Sequence, residues 1–288
     1  MFSKLYEADH KTISLEFFPP RKVSQLEETL KMISDLALLQ PDFMTCTYGA
    51  GGGTRALTRQ IVSYMHNQLK LPAVAHLTCV GHSQAEIDGV LDGLAAEGIF
   101  NILALRGDPP KGTQEFIPPP QGFSCARDLV SHVARRKEFA IAVAGYPEKH
   151  RESTSWESEI AYLRAKQNAG GEVVLTQLFF DEDLYFDFLE RARAGGVIIP
   201  IVPGVMPISS VGQLEKFGSM FNVTVPEKLK REARSLAGAE EELIQFGISA
   251  AISLCEKLVK GGAPGVHLYT LNRSTQARPI VEKLRTLI

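Results

Sequence analysis

Two periodicities alternate along the whole chain. Short runs of apolar and β-branched residues give way to longer segments whose apolar positions recur at three- and four-residue steps, the pattern of parallel strands joined by crossover helices. Eight strands are predicted: TISLEF from Thr12, DFMTCTYG from Asp42, AVAHLTC from Ala73, NILALRGD from Asn101, FAIAVAGYP from Phe139, EVVLTQLFF from Glu172, IIPIVPGV from Ile198 and GVHLYTLN from Gly265. A helical pattern follows each. After the first strand, Leu26, Leu30, Ile33, Leu36 and Ala37 form one apolar stripe, with Ser24 as the expected N-cap. Ser153 to Ala169 and Glu240 to Lys260 repeat the pattern, and glycines close the second of these.

Eight consecutive strand–helix units predict a closed (β/α)8 TIM barrel, and a chain of 288 residues suits that fold as one domain over 1–288. An open doubly wound sheet is the alternative, but GAGGGT at Gly49 to Thr54 lacks the spacing of a dinucleotide fingerprint. The stretch PPKGTQEFIPPPQG, Pro109 to Gly122, is too rich in proline for helix or strand and is expected to be a lid-like loop over the barrel mouth.

Composition narrows the function classes. A net charge of −2 provides no basic excess to track a phosphate backbone or an anionic membrane, so neither is an expected partner. Cys46, Cys79, Cys125 and Cys255 have no metal-ligand spacing; no metal is expected and the cysteines read as reduced thiols. The start, MFSKLYEADHK, lacks the apolar stretch of a signal peptide, and no apolar run is long enough to span a bilayer. A cytoplasmic protein is the expectation.

In a barrel the chemistry gathers at the C-terminal ends of the strands. Those ends are polar here: Glu16 on the first, Thr47 and Tyr48 on the second, His76 on the third, Arg106 and Asp108 on the fourth, Tyr146 and then His150 on the fifth, Gln177 on the sixth, Tyr269 with Arg273 on the eighth, and Gln213 in the helix after the seventh. Taken singly, most have ordinary structural explanations. Together they would ring one mouth, a convergence that is costly to dehydrate without a ligand.

Glu16 stands out because strand alternation puts it on one side with Ser14, opposite Ile13, Leu15 and Phe17. The carboxylate is predicted to point into the barrel, where desolvation raises a carboxyl pKa toward the range of a general acid. A buried ion pair with Arg106 is the competing explanation. Gly107, between Arg106 and Asp108, either lets a flat ligand approach the backbone or serves a tight turn.

The blocks SLEFFPPR, TYGAGG, AHLTC, LALRGDPP, AGYPEKH, TQLFFD, PGVMPIS and YTLNR, in this order, resemble the bacterial methylenetetrahydrofolate reductases over essentially the whole chain. The resemblance implies a barrel that binds FAD tightly but non-covalently. It also implies reduction of 5,10-methylenetetrahydrofolate to 5-methyltetrahydrofolate with NADH or NADPH by a ping-pong route, supplying methyl groups for methionine synthesis. Carried over by motif, Glu16 is the general acid that protonates folate N10, opening the ring to a 5-iminium cation that accepts hydride from reduced flavin. Asp108 touches flavin and pterin. Gln177 hydrogen-bonds pterin or nicotinamide in turn, Phe217 stacks on either, Gln213 and Arg273 hold the folate tail, and Tyr269 completes the substrate site.

The same resemblance assigns Thr47, Tyr48, His76, Arg106, Gly107, Asp108, Ala126, Tyr146, His150, Glu159 and Lys166 to the flavin. Cys125 stands where relatives commonly have tyrosine, and Tyr162 and Ala165 where asparagine and arginine are familiar. All three departures fall at the adenosine-diphosphate end, where weaker retention is expected. A homo-oligomer is implied. No C-terminal regulatory domain is expected, since the chain ends at Ile288 one helix past the eighth strand. A folate-binding flavoprotein subunit reduced by a partner protein, and a flavin-free barrel with direct hydride transfer, remain as rival readings.

Overall fold

The computed structural model of the chain describes residues 2–6, 10–48, 55–108 and 116–288. All eight predicted strands form: β1 (Thr12–Phe17), β2 (Phe43–Cys46), β3 (Ala73–Thr78), β4 (Asn101–Leu105), β5 (Ala140–Gly145), β6 (Val173–Leu178), β7 (Ile201–Val205) and β8 (Gly265–Tyr269). Each pairs in parallel with the next and β8 closes on β1, so the sheet is the expected (β/α)8 barrel. The helices are α1 (Phe2–Leu5), α2 (Leu26–Ala37), α3 (Arg55–Asn67), α4 (Gln84–Ala96), α5 (Ala126–Ala134), α6 (Trp156–Asn168), α7 (Glu182–Ala194), α8 (Val211–Phe221), α9 (Glu227–Ser235), α10 (Glu240–Lys260) and α11 (Ser274–Arg285).

Alternation along the strands sorts the side chains into two cores. Ile13, Leu15 and Phe17 face outward and bury themselves against the helix layer with Ile33 and Leu36 of α2. The inward positions at the lower end of the barrel are apolar: Phe43, Val74, Leu103, Ala142, Val173 and Val202 pack together, and Phe2 of α1 closes them from below with its ring 5.6 Å from that of Phe43. Fully burying each large apolar side chain contributes about 1.5–3 kcal/mol. The polar residues are thereby left to the upper end.

Local details depart from expectation in three places. Ser24 does not cap α2: a 3₁₀ turn, Val23–Gln25, precedes the helix, Gln25 occupies the cap position without a side-chain bond, and Gln25 N–H donates to Lys22 O. In the same turn the Leu26 N–H, a donor that a Ser24 cap would have served, donates to Val23 O. The segment expected from Ser153 begins its helix at Trp156, because Ser155 and Ser158 form a capping box there. Between the helix that carries Gln213 and the one from Glu240, a further helix, α9, fills the return from β7 to β8. The GAGGGT stretch and residues 109–115 of the proline-rich segment lie outside the described residues; beyond them Phe116 to Gly122 is irregular and Gly122 bridges to Ser83.

Candidate active site

A cavity of about 530 Å³ opens at the C-terminal ends of the strands. Glu16, Thr47, Tyr48, His76, Arg106, Gly107, Asp108, Tyr146, His150, Gln177, Phe217 and Tyr269 all contribute to its wall. Ala126, Glu159, Lys166, Gln213 and Arg273 do not.

Glu16 is 6 % exposed and its carboxyl faces inward. Register explains its company: Glu16 lies opposite Thr45 on β2 and Tyr269 on β8, while Ser14 lies opposite His267. Its Oε2 is 3.2 Å from His267 Nε2 and 3.4 Å from His76 Nε2. His267 Nδ1 is in turn 2.8 Å from Ser14 Oγ, and His76 Nε2 is 3.2 Å from Thr45 Oγ1. Burial drives His76 down to about 4, against the pull of the Glu16 charge, so it is neutral near pH 7. Among the described residues, neither lysine nor arginine lies within ion-pair distance of Glu16. The Arg106 alternative is therefore corrected: its guanidinium makes a two-pronged pair with Glu152, at 2.5 and 2.8 Å, and lies 5.4 Å over the Phe116 ring.

His267 is the residue that strand-end reading missed. It is fully buried and stands two positions before Tyr269. The same alternation that placed Ser14 with Glu16 would have placed His267 with Tyr269. Tyr269 donates its hydroxyl to Thr176 O at 2.6 Å, and a Cβ on Gly204 would lie 2.7 Å from its ring, so the glycine in β7 makes room for it. Gly107 is constrained twice, by φ of +86° and by Val80, whose Cγ1 would lie 2.7 Å from any Cβ there.

The remaining carried-over residues sit elsewhere. Gln213 spends its amide oxygen on Ser209, accepting from both its N–H and its Oγ–H, within the turn that starts α8. Arg273 is exposed at the start of α11. Glu159 is buried and accepts from His150 N–H and Ser153 Oγ–H. Lys166 is 3 % exposed; its Nζ donates to Ala144 O and lies 5.1 Å over the Tyr162 ring, and burial lowers it to about 8. Ala126 opens α5, where Cys125 gives no side-chain cap and the Tyr162 hydroxyl accepts the Arg127 N–H at 3.3 Å.

These placements bear on a flavin. The ring end fits: the cavity is roomy and walled by both aromatic and polar groups. The tail end fits in part. Lys166 is a buried cation with no carboxylate within ion-pair distance among the described residues, suited to a phosphate, but Tyr162 already satisfies a first-turn donor of α5. All four cysteines are free. The acidic trio Asp181, Glu182 and Asp183 serves α7, with Asp181 accepting Asp183 N–H and Glu182 pairing with Lys257. Among the described residues no helix is long and apolar enough to cross a membrane.

Fold and cavity together define a (β/α)8 barrel with an acid–imidazole site at its C-terminal mouth. Residues 1–285 match the family model for methylenetetrahydrofolate reductase, and the chain belongs to that family. It is 38% identical to the 5,10-methylenetetrahydrofolate reductase of Pectobacterium carotovorum subsp. carotovorum, over 94% of this chain and 89% of that protein. It is 36% identical to methylenetetrahydrofolate reductase (NADH) 1 of Arabidopsis thaliana over 96% of this chain but 49% of the relative, so the chain spans about half the length of the plant protein. Among solved structures, a Clostridium thermocellum protein described as binding two copies of 5-methyl-5,6,7,8-tetrahydrofolic acid shares the fold, with a TM-score of 0.65 at 15% identity over 100% of this chain and 99% of that one.

Proposed function

We propose that the chain reduces 5,10-methylenetetrahydrofolate to 5-methyltetrahydrofolate with NADH or NADPH on bound FAD, the two substrates taking turns in one cavity. The observation that carries this reading is the Glu16 carboxyl, buried at the cavity floor with imidazole neighbours and no permanent cation within ion-pair distance among the described residues. The Pectobacterium relative is named for this activity and the Arabidopsis relative for its NADH form.

Opening the five-membered ring of the folate requires a proton on the departing amine, N10. Glu16 faces the cavity with no arginine or lysine within ion-pair distance among the described residues, and is placed to deliver that proton. His267, oriented by Ser14 through Nδ1, presents Nε2 to the same carboxyl and can donate to the carboxylate left behind. Ring opening leaves a cation at N5, which the Asp108 carboxylate would stabilise. FAD, when bound, would supply the hydride acceptor and donor that link nicotinamide to folate. Thr47, Tyr48, His76, Arg106, Gly107, Asp108, Tyr146 and His150 would hold its ring end, and Ala126, Glu159 and Lys166 its tail.

Gln177 would hydrogen-bond the pterin and the nicotinamide amide alternately, with Phe217 covering whichever ring is present and Tyr269 forming the wall beside Glu16. Arg273 would meet the folate carboxylates outside the mouth, while Gln213 must release Ser209 before reaching them. The test is a visible spectrum of the purified protein under anaerobic conditions. Flavin absorbance that NADH bleaches and methylenetetrahydrofolate restores is the expected result. Flavin that only a partner protein can reduce would replace this reading with a folate-binding subunit, and a colourless active preparation would remove the flavin. A homo-oligomer and a cytoplasmic location belong to the same proposal; light scattering tests the first.

A further inference from the structure

The chain leaves β8 through two consecutive left-handed residues, Leu271 at φ +51° and Asn272 at φ +56°. Neither is glycine, and leucine is disfavoured there, so surrounding contacts must hold the turn. Those contacts lie on β1 and the residues just beyond it. Thr270, fully buried, donates both Oγ1–H, at 2.6 Å, and N–H, at 3.2 Å, to the carbonyl of Glu16. Asn272 spans the next step: its Oδ1 accepts Phe18 N–H at 2.9 Å and its Nδ2 donates to Phe18 O at 2.8 Å. Asn272 N–H donates back to Thr270 Oγ1 at 3.2 Å.

Five hydrogen bonds thus tie the turn together and to the backbone of Glu16 and Phe18. Glu16 is the penultimate residue of β1, where regular pairing runs out; on the β2 side Thr47 N–H continues it by donating to Phe17 O at 2.9 Å. On the β8 side Thr270 and Asn272 do so. Phe18 and Leu271 both stand in the cavity wall. A turn that needed only left-handed backbone would be better served by glycine. Asparagine adds a side chain that grips one strand end in both directions, as donor and as acceptor.

We propose that Asn272, with Thr270, forms a clasp that sets the position of Glu16 at the cavity floor and of Phe18 in its wall, which makes Asn272 a positioning residue for proton delivery to the folate. The inference rests on the reading of Glu16 as proton donor. Hydride transfer from NADH needs no such proton, so the clasp is required by one half of the reaction only.

The deciding variant is Asn272→Gly, which relaxes the backbone while removing the grip. In the purified holoenzyme its melting temperature is expected to stay level or rise. The rate of methylenetetrahydrofolate reduction is expected to fall by about tenfold to a hundredfold through kcat, since small misplacement of a reacting group carries penalties of that order. The KM for folate and the oxidation of NADH by an artificial acceptor should stay within about threefold. Asn272→Asp, which keeps the acceptor for Phe18 N–H and loses the donor, should recover part of the folate rate. A folate rate within threefold of the parent in Asn272→Gly, or equal loss in both halves, overturns the clasp. Glu16→Gln run alongside separates the two ideas: if it retains folate reduction the proton-donor reading fails, whereas its loss beside an unaffected Asn272→Gly sinks the clasp alone.

Discussion

The barrel mouth and the α5–α6 corner carry the two halves of the residues assigned to a flavin, and they are built in opposite ways. At the mouth, side chains from different strands converge on open space, and Glu16 faces His76 and His267 with no lysine or arginine within ion-pair distance among the described residues. At the corner the polar groups are already engaged: Lys166 donates to a carbonyl, the Arg127 N–H donates to Tyr162, and Glu159 accepts from the His150 N–H. The contrast teaches where ligand binding and chemistry part company. Groups held ready over a cavity suit a ring system and a reaction, whereas groups satisfied inside the protein contribute to a ligand only by exchanging one partner for another.

Substitutions at each end test this division. Asp108→Asn at the mouth is expected to slow both NADH oxidation and folate reduction by about a hundredfold, the scale of losing one electrostatic stabiliser; unchanged steady-state kinetics would remove Asp108 from the site. His267→Asn should slow the folate half alone by about tenfold and alter its pH profile, as expected of a group acting through Glu16. At the corner, Tyr162→Asn should tighten FAD by about tenfold, or 1.4 kcal/mol, and leave riboflavin unaffected in fluorescence titrations, because only the tail gains a free helix donor. Equal changes for both flavins would erase the distinction between the ends.

The smallest effect concerns stability. His76 is held down to about 4 in the folded protein from an ordinary 6.5, chiefly by burial. As pH falls below 6.5 the unfolded chain takes up that proton first, so stability is lost between pH 6.5 and about 4 and the contribution is flat below. His76→Gln should flatten that window in thermal melts; an unchanged slope would assign the acid sensitivity elsewhere.

Much of this was legible in the chain. Strand alternation placed Glu16 inside and Ile13, Leu15 and Phe17 outside because a two-residue period admits no other sorting once one face is buried. The ring of polar strand ends likewise converged for most members. What failed to show was anything set by register between strands or by local bonding. His267 is set beside Glu16 by lying opposite Ser14, a fact of β1–β8 pairing. Gln213 is drawn into its own turn by Ser209, and Ser24 is displaced from the helix cap by a 3₁₀ turn. The grip of Asn272 on Phe18 joins residues 254 positions apart.

As proposed, Glu16 delivers a proton in the folate half and has no part in the nicotinamide half. Stopped-flow measurement of the two half-reactions in Glu16→Gln, each started from flavin in the appropriate redox state, tests it most directly. NADH oxidation within about threefold of the parent beside folate reduction slowed by about a thousandfold is the predicted result, the range of general-acid catalysis. Folate reduction at the parental rate, or matched loss in both halves, would contradict it.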